Sequence, residues 1–473
     1  MIRLVSSFIL LAVAGSLSAQ SYAPTAEKPA ALAREFRGAW VASIYNLDWP
    51  KSKGLSAAAQ QGELRALLDQ VAALKMNAVI FQVRPHCDAL YASSIEPWSP
   101  WLTGTMGRSP GYDPLDFCIR EAHARGIEVH AWFNPFRALA NTSHTASSNH
   151  ITRASPALTK RYGSMIWCDP GLAESRSRAL SVILDVVRRY DVDGVHLDDY
   201  FYPYPSGGLA FADGKTPAQR RAYIDGFVSS LYSSVKKQKP WVRVGISPFG
   251  IWRPGVPAGI EASLDSYEQL ACDARKWLKN GWVDYLAPQL YWRISPQKQS
   301  FPALLTWWRQ QGSRPVWPGI ATARINSSED PGRPASEITN QINLTRQIGN
   351  NWNGHLHWSA NSLVKNQGGI ATRLASTYTQ PAAVPPMPWV NNRAPSAPGV
   401  SAVLQGKTTT VSWIADKATA KIAVQGRFGG TWRTVQIVPV GKQKLSFSRA
   451  EAVAITVLDR YGNASSPKVL GLP

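Results

Sequence analysis

Cysteine is scarce in this 473-residue chain: there are four, Cys87, Cys118, Cys168 and Cys272, and no two of them form a Cys-x-x-Cys pair. That spacing excludes the common zinc ribbons and thioredoxin-like redox motifs. An even count still allows one or two disulfides in an oxidising compartment, with three pairings that sequence does not choose among. Acidic residues are also few, 31 against 51 Lys and Arg, for a net charge of +20. Such an excess favours polyanionic partners. The basic residues are scattered rather than gathered in a run, which points to an anionic envelope polymer and away from nucleic acid. No apolar run reaches the roughly 20 residues needed to cross a bilayer. Nucleotide-binding Gly-rich loops and Gly-x-Ser-x-Gly elbows are missing too, so no cofactor is expected and serine-hydrolase chemistry is excluded.

What is present starts with Arg3, an apolar stretch from Phe8 to Ala14, and small residues leading to Ala19. This is the pattern of a cleaved export signal over residues 1–19, with Ala23 as a second cleavage point. No Cys lies near the cut, so a lipid anchor is not expected. The mature chain should be periplasmic or secreted, with no transmembrane segment and no obligate protein partner. Residues 20–33 are rich in Ala and Pro and read as a loose leader.

From 34 to 380, short apolar runs alternate with amphipathic segments. Strands are predicted at 36–43, 77–85, 128–136, 193–202, 242–249, 284–292, 314–323 and 354–362. Between the first two, Leu64, Leu67, Leu68, Val71 and Leu74 form one apolar stripe at helical spacing. Asp113-Pro114 reads as an N-cap followed by Pro at the first helical position. Thr216 to Gln219 is a capping box, and Gly126, Gly281 and Gly312 stand where helices should stop. Eight such units specify an α/β chain folded as a (β/α)8 TIM barrel. Residues 381–398 contain Pro381, Pro385, Pro386, Pro388, Pro395 and Pro398 and read as a stiff linker. Residues 399–473 show only short β-runs between Gly and polar turns, as in a small β-sandwich. From Pro395 onward ten Lys and Arg face three Asp and Glu. A module of that charge is suited to holding a polymer, or the barrel, rather than to chemistry.

The stretch with most chemistry in it is Asp193-Gly-Val-His-Leu-Asp-Asp-Tyr-Phe-Tyr202. It is a buried parallel strand whose C-terminal end opens into carboxylates and aromatic rings. In a barrel of this kind the C-terminal strand ends carry the reaction. Carboxylates beside sugar-stacking rings are the requirement for glycosidic cleavage. Alternation puts His196, Asp198 and Tyr200 on one face and Asp199 on the other, unless the chain turns at Asp198. The bland alternative is that both Asp residues cap the next segment or pair with an arginine. Further candidates come from other strand ends: Arg84 and Asp88, with Glu96 in the loop beyond; Trp132, Asn134 and Arg137; Gln289, Tyr291 and Trp292; and Trp358. Asp88, Glu96 and Asp273 are the candidate proton donors. His130, His196 and a strand-eight His could gather round a metal with Asp198. Barrels that do so open with His-x-His on the first strand, and here that strand reads Arg37-Gly-Ala-Trp40, so no metal is expected.

The blocks FRGAWVAS (36–43), FQVRP (81–85), HAWFNPFR (130–137), DGVHLDDYFYP (193–203), ISPFGIWRP (246–254), DARKWLKNGWVDYLAPQLYW (273–292) and HWSANSL (357–363) together resemble glycosyl-hydrolase-like family 10. The resemblance covers about residues 34–380. It implies a (β/α)8 barrel that hydrolyses peptidoglycan glycan strands, preferring strands stripped of stem peptides. The tail resembles a fibronectin type III or immunoglobulin-like module. DGVHLDDY also resembles the chitinase-type motif DGxDxDxE, but Tyr200 stands where the acid Glu should be. The expectation is therefore an exported glycoside hydrolase using Asp198 or Asp199 as nucleophile or base. A non-catalytic wall-binding barrel and a metal-dependent hydrolase or deacetylase are the alternatives.

Overall fold

Eight short parallel strands ring the centre of the molecule: β1 (Phe36–Val41), β2 (Ala78–Arg84), β3 (Glu128–Phe133), β4 (Gly194–Leu197), β5 (Arg243–Ile246), β6 (Tyr285–Leu286), β7 (Gly319–Ile320) and β8 (Gly354–His357). The computed structural model describes residues 19–349, 352–416 and 419–473. The proposed export signal, apart from Ala19, lies outside the described residues. Each strand leads to a helix: α1 (Ala57–Ala73), α2 (Pro114–Ala124), α3 (Ala173–Arg189), α4 (Pro217–Gln238), α5 (Ala274–Lys279), α6 (Phe301–Arg309), α7 (Ala335–Gln347) and α8 (Ile370–Thr377). Strand β1 pairs with both β2 and β8. Parallel bridges Leu286–Val316 and Gln289–Gly319 join β6 to β7 and close the ring. The fold is a (β/α)8 barrel.

The strands are buried on both faces, and two apolar layers result. Outward residues such as Val79, Phe81 and Val83 meet the helices, including Leu64, Leu67, Leu68 and Val71 of α1. Inward residues Phe36, Trp40, Trp132, Tyr285, Trp317 and Leu356 fill the lumen. The rings fit because glycine stands opposite them. A Cβ on Gly194 would lie 2.6 Å from the His130 ring, and one on Gly245 would fall inside the ring of Tyr285. The expected caps form: Ser56 accepts from Ala59 N, Asp113 from Asp116 N, and Thr216 and Gln219 close a capping box.

Beyond the barrel lie seven antiparallel strands: β9 (Gly399–Gln405), β10 (Thr408–Ile414), β11 (Thr419–Phe428), β12 (Thr431–Pro439), β13 (Lys444–Ser448), β14 (Ala452–Asp459) and β15 (Lys468–Gly471). They form two sheets around Val411, Trp413, Ile422, Val424, Val453 and Ile455. One sequence expectation fails here. Residues 20–33 are no loose leader: Gln20–Ser21 adds a strand to β9, and Ala23–Pro24 adds one to β15. Between them Tyr22 is buried, donating from its hydroxyl to Ala450 O at 2.6 Å. Both sheets offered an unpaired edge, which an extended segment of any composition can satisfy.

The first part of the Pro-rich stretch packs against the barrel. Ala382, Ala383, Val384 and Met387 are buried. Their carbonyls and their proline neighbours' accept from the strand starts: Asn77 Nδ2 reaches Ala382 O at 3.0 Å, and Arg243 reaches Pro385 O at 2.7 Å. Proline lacks an N–H but keeps a carbonyl, so the strap binds mainly through acceptors, with Ala383 N donating to Ala33 O at 2.8 Å and Met387 N to Tyr461 O at 2.9 Å. The strap and the sandwich cover the N-terminal end of the barrel. Lys421 pairs with Glu128 at 3.2 Å, and Arg460 pairs with Asp191.

Candidate active site

The Asp198–Asp199 pair lies at the opposite, C-terminal end of the strands. Strand β4 stops at Leu197, and the chain turns at once, with Tyr200 N directed at Asp198 Oδ1 (3.4 Å) and Phe201 N donating to Asp199 O (2.9 Å). The turn sends the two carboxylates to opposite sides. Asp198 leans to β3, where its Oδ2 accepts from Asn134 Nδ2 at 2.6 Å and Trp132 Nε1 at 3.3 Å. Asp199 leans to β6 and accepts from the Tyr204 hydroxyl, with Gln289 nearby, its Nε2 donating to Ser247 O at 3.1 Å. Asn134 is oriented from behind. Backbone N–H groups of Ser43 and Ile44 donate to Gln82 Oε1 (3.0 and 2.9 Å), and Gln82 Nε2 donates to Asn134 Oδ1 at 2.9 Å. The Asn134 amide nitrogen therefore has to face Asp198.

Both carboxylates are buried, at 5% and 1% exposure. Burial, reinforced by the Asp199 charge, raises Asp198 to about 7. Burial also lifts Asp199 to about 6, against the opposing effects of Tyr204, Gln289 and the charge of Arg137. Adjacent acids in a low dielectric resist ionising together, so near neutrality the pair holds about one proton. This is the condition for a site that must both donate a proton and carry negative charge.

Arg137 lies with its guanidinium 4.3 Å above the Tyr200 ring. Its charge lowers both Asp residues, yet its Nε is buried with no hydrogen-bond partner among the described residues. Trp358 stands at the centre of an aromatic group: Trp40 at 6.1 Å, Trp132 at 6.2 Å and Tyr291 nearly parallel at 6.5 Å. His196 forms the floor rather than the wall. A Trp N–H can only donate, so Trp40 Nε1, 3.2 Å from His196 Nε2, puts the imidazole proton on Nδ1, facing Tyr285 OH at 3.0 Å. Burial, with His130 beside it, holds His196 neutral, well below the usual imidazole range.

The structure does not bring the other candidates to this mouth. Arg84 and Glu96 form a bidentate pair at 2.6 and 2.7 Å with side chains 1% and 0% exposed. Arg84 also clamps the carbonyls of Asn134 and Pro135 at 2.5 and 3.0 Å, so it holds the loop that carries Asn134. Asp88 is fully buried beside it, accepting from His86 N at 2.8 Å, and burial raises it to about 6. Asp273 caps α5. Trp292 turns to the far side of its strand and meets Phe249 edge-on at 5.6 Å. His355 and His357 both face Tyr378, while His130 and His196 share Tyr285. Three functional neighbours escape sequence reasoning: Gln82, Trp40 and Tyr204. A lumen-facing amide two residues before Arg84 was the available signal for Gln82. For Tyr204 there was only the run of tyrosines after the Asp pair.

The family model described as glycosyl hydrolase-like 10 matches residues 35–332. Glycosyl hydrolase YngK of Bacillus subtilis (strain 168) is 39% identical over 432 residues, covering 85% of this chain and 84% of that protein. Glycosyl hydrolase DigH of Escherichia coli (strain K12) is 35% identical over 320 residues, covering 60% of this chain and 73% of that protein. Among solved structures, the PgaB (BpsB) glycoside hydrolase domain from Bordetella bronchiseptica aligns with a TM-score of 0.47 at 12% identity, over 73% of this chain and 99% of that domain.

Proposed function

The chain belongs to glycosyl hydrolase-like family 10 and is a glycoside hydrolase, and from that premise we propose that it is exported and cleaves peptidoglycan glycan strands, preferring strands freed of stem peptides. The observation that carries the chemistry is the Asp198–Asp199 pair, poised at about 7 and about 6 beneath an aromatic wall. Asp198, which keeps its proton longer, protonates the glycosidic oxygen as the bond breaks. Asp199, ionised first and held by the Tyr204 hydroxyl, carries the negative charge that an oxocarbenium-like transition state requires. A water molecule then adds to the anomeric carbon and returns its proton to Asp198. Asn134 and Trp132 hold Asp198 in place, and Tyr291 and Trp358 offer faces to the sugar rings.

Arg137 supports the choice of glycan. Muramic acid carries a lactyl carboxylate, and a forked guanidinium with an unpartnered Nε is suited to receive one. In an intact wall that carboxylate is capped by a peptide, which removes the charge and adds bulk. Export is supported by the pattern of the first 19 residues, and no described helix is long and apolar enough to cross a membrane. A cut after Ala19 keeps Tyr22 in its buried place, whereas a cut after Ala23 would remove it.

Release of soluble fragments from sacculi with and without amidase treatment, and from chitin oligosaccharides, tests the reading. Stripped sacculi should be cleaved fastest and chitin slowest. Equal rates on stripped and intact sacculi would remove the preference. Tight binding without any product would make the barrel a wall-binding protein instead.

A further inference from the structure

Two of the four cysteines meet although 81 residues separate them: Cys87 Sγ and Cys168 Sγ are 3.4 Å apart. Cys87 follows β2 in the loop that the Arg84–Glu96 pair braces. Its φ of +51° is left-handed, a conformation that a non-glycine residue adopts at a cost. Cys168 ends the strand Met165–Cys168, and its N–H donates to Phe136 O at 2.7 Å. The same strand pairs, through Trp167, with Arg137. Both sulfurs are buried, and Arg84 Nη2 donates to Cys87 Sγ at 3.0 Å. Cys118 and Cys272 are buried elsewhere, and among the described residues neither meets another sulfur.

We propose that Cys87 and Cys168 form a disulfide in the mature protein, and that Cys118 and Cys272 remain thiols. A small side-chain rotation takes the sulfurs to the about 2.05 Å of a bond. The two thiols lose two protons and two electrons, one S–S bond forms, and a disulfide donor is reduced to two thiols. Burial pushes the Cys87 thiol well up, so it is a poor nucleophile once the chain has folded. The exchange therefore takes place while the β2 loop is still forming. The product ties that loop to the excursion carrying Arg137 and fixes one wall of the mouth. This pairing goes beyond the glycan reading and does not depend on it, but rests on the proposed export, which supplies the oxidising compartment.

The test refolds the chain from Gln20 to Pro473 with oxidised and reduced glutathione, and in parallel with excess dithiothreitol. Thiols are then counted in denaturant, and alkylated peptides are mapped without reduction. Oxidised protein should show two free thiols and one peptide pair joining Cys87 to Cys168. It should also melt roughly 5–10 °C higher than the reduced form. Cys87→Ser and Cys168→Ser should each show three thiols and no such gain. Four free thiols in folded, oxidised wild type, or a bond to Cys118 or Cys272, would overturn the pairing.

Discussion

At the scale of single residues, the Asp pair sets the pH behaviour. The proposed mechanism requires Asp199 ionised and Asp198 protonated, so kcat/KM should rise through about 6, fall through about 7 and peak between. Asp198→Asn should lower the rate by about 10²–10⁴, read as fragment release from stripped sacculi. The same substitution should help the fold. Asp198 is raised from 3.8 to about 7 in the folded chain, so its proton stabilises the native state fully below about 3.8. That contribution is lost as pH rises through about 7, leaving a buried charge. The variant should then melt a few degrees higher than wild type at pH 8, and about equally at pH 4. An unfolded or fully active variant would make Asp198 structural. Asp198 was readable in the sequence because a strand end followed by acids and rings is a local pattern. Its surroundings were only partly so: Asn134 stood among the strand-end candidates and Tyr204 follows Asp199 closely in the chain, whereas Gln82 meets Asn134 only when the ring closes.

At the scale of elements, the barrel strands were legible as eight apolar runs, since burial on both faces leaves no alternation to confuse them. Their lengths were not: the sixth and seventh predicted strands shrink to Tyr285–Leu286 and Gly319–Ile320. Tyr285, Trp317 and Trp40 crowd the lumen there, and glycines admit them. Gly245→Ala should cost about 1–3 kcal/mol or more, because the methyl group would occupy the Tyr285 ring. Gly226→Ala on α4, where a Cβ meets nothing within 4 Å, should instead gain about 0.5–1 kcal/mol. Urea midpoints of the two variants would check the pair. Equal effects would mean that the lumen has slack. The strap at 382–387 illustrates a different limit. Proline content reports stiffness, but it does not say which arginine or asparagine will claim the carbonyls.

At the scale of the whole molecule, the sandwich sits on the end of the barrel away from the Asp pair. That placement suits holding the barrel better than presenting substrate. Removing residues 399–473 should lower the melting temperature by at least about 5 °C and reduce soluble yield, because Glu128 loses Lys421, Asp191 loses Arg460, and residues 20–24 lose both sheets. An unchanged melting temperature would make the module an independent passenger. Residues 20–24 add a matter of timing. They leave the ribosome, or a translocation pore, among the earliest of the described residues, yet they pair with strands that end at Gly471. Their partners, β9 and β15, both follow the barrel in the chain, so the segment must wait through the synthesis of the entire barrel. A chain interrupted before Ala450 leaves the Tyr22 hydroxyl without its carbonyl acceptor, and one interrupted before β15 leaves Ala23–Pro24 without a strand to join.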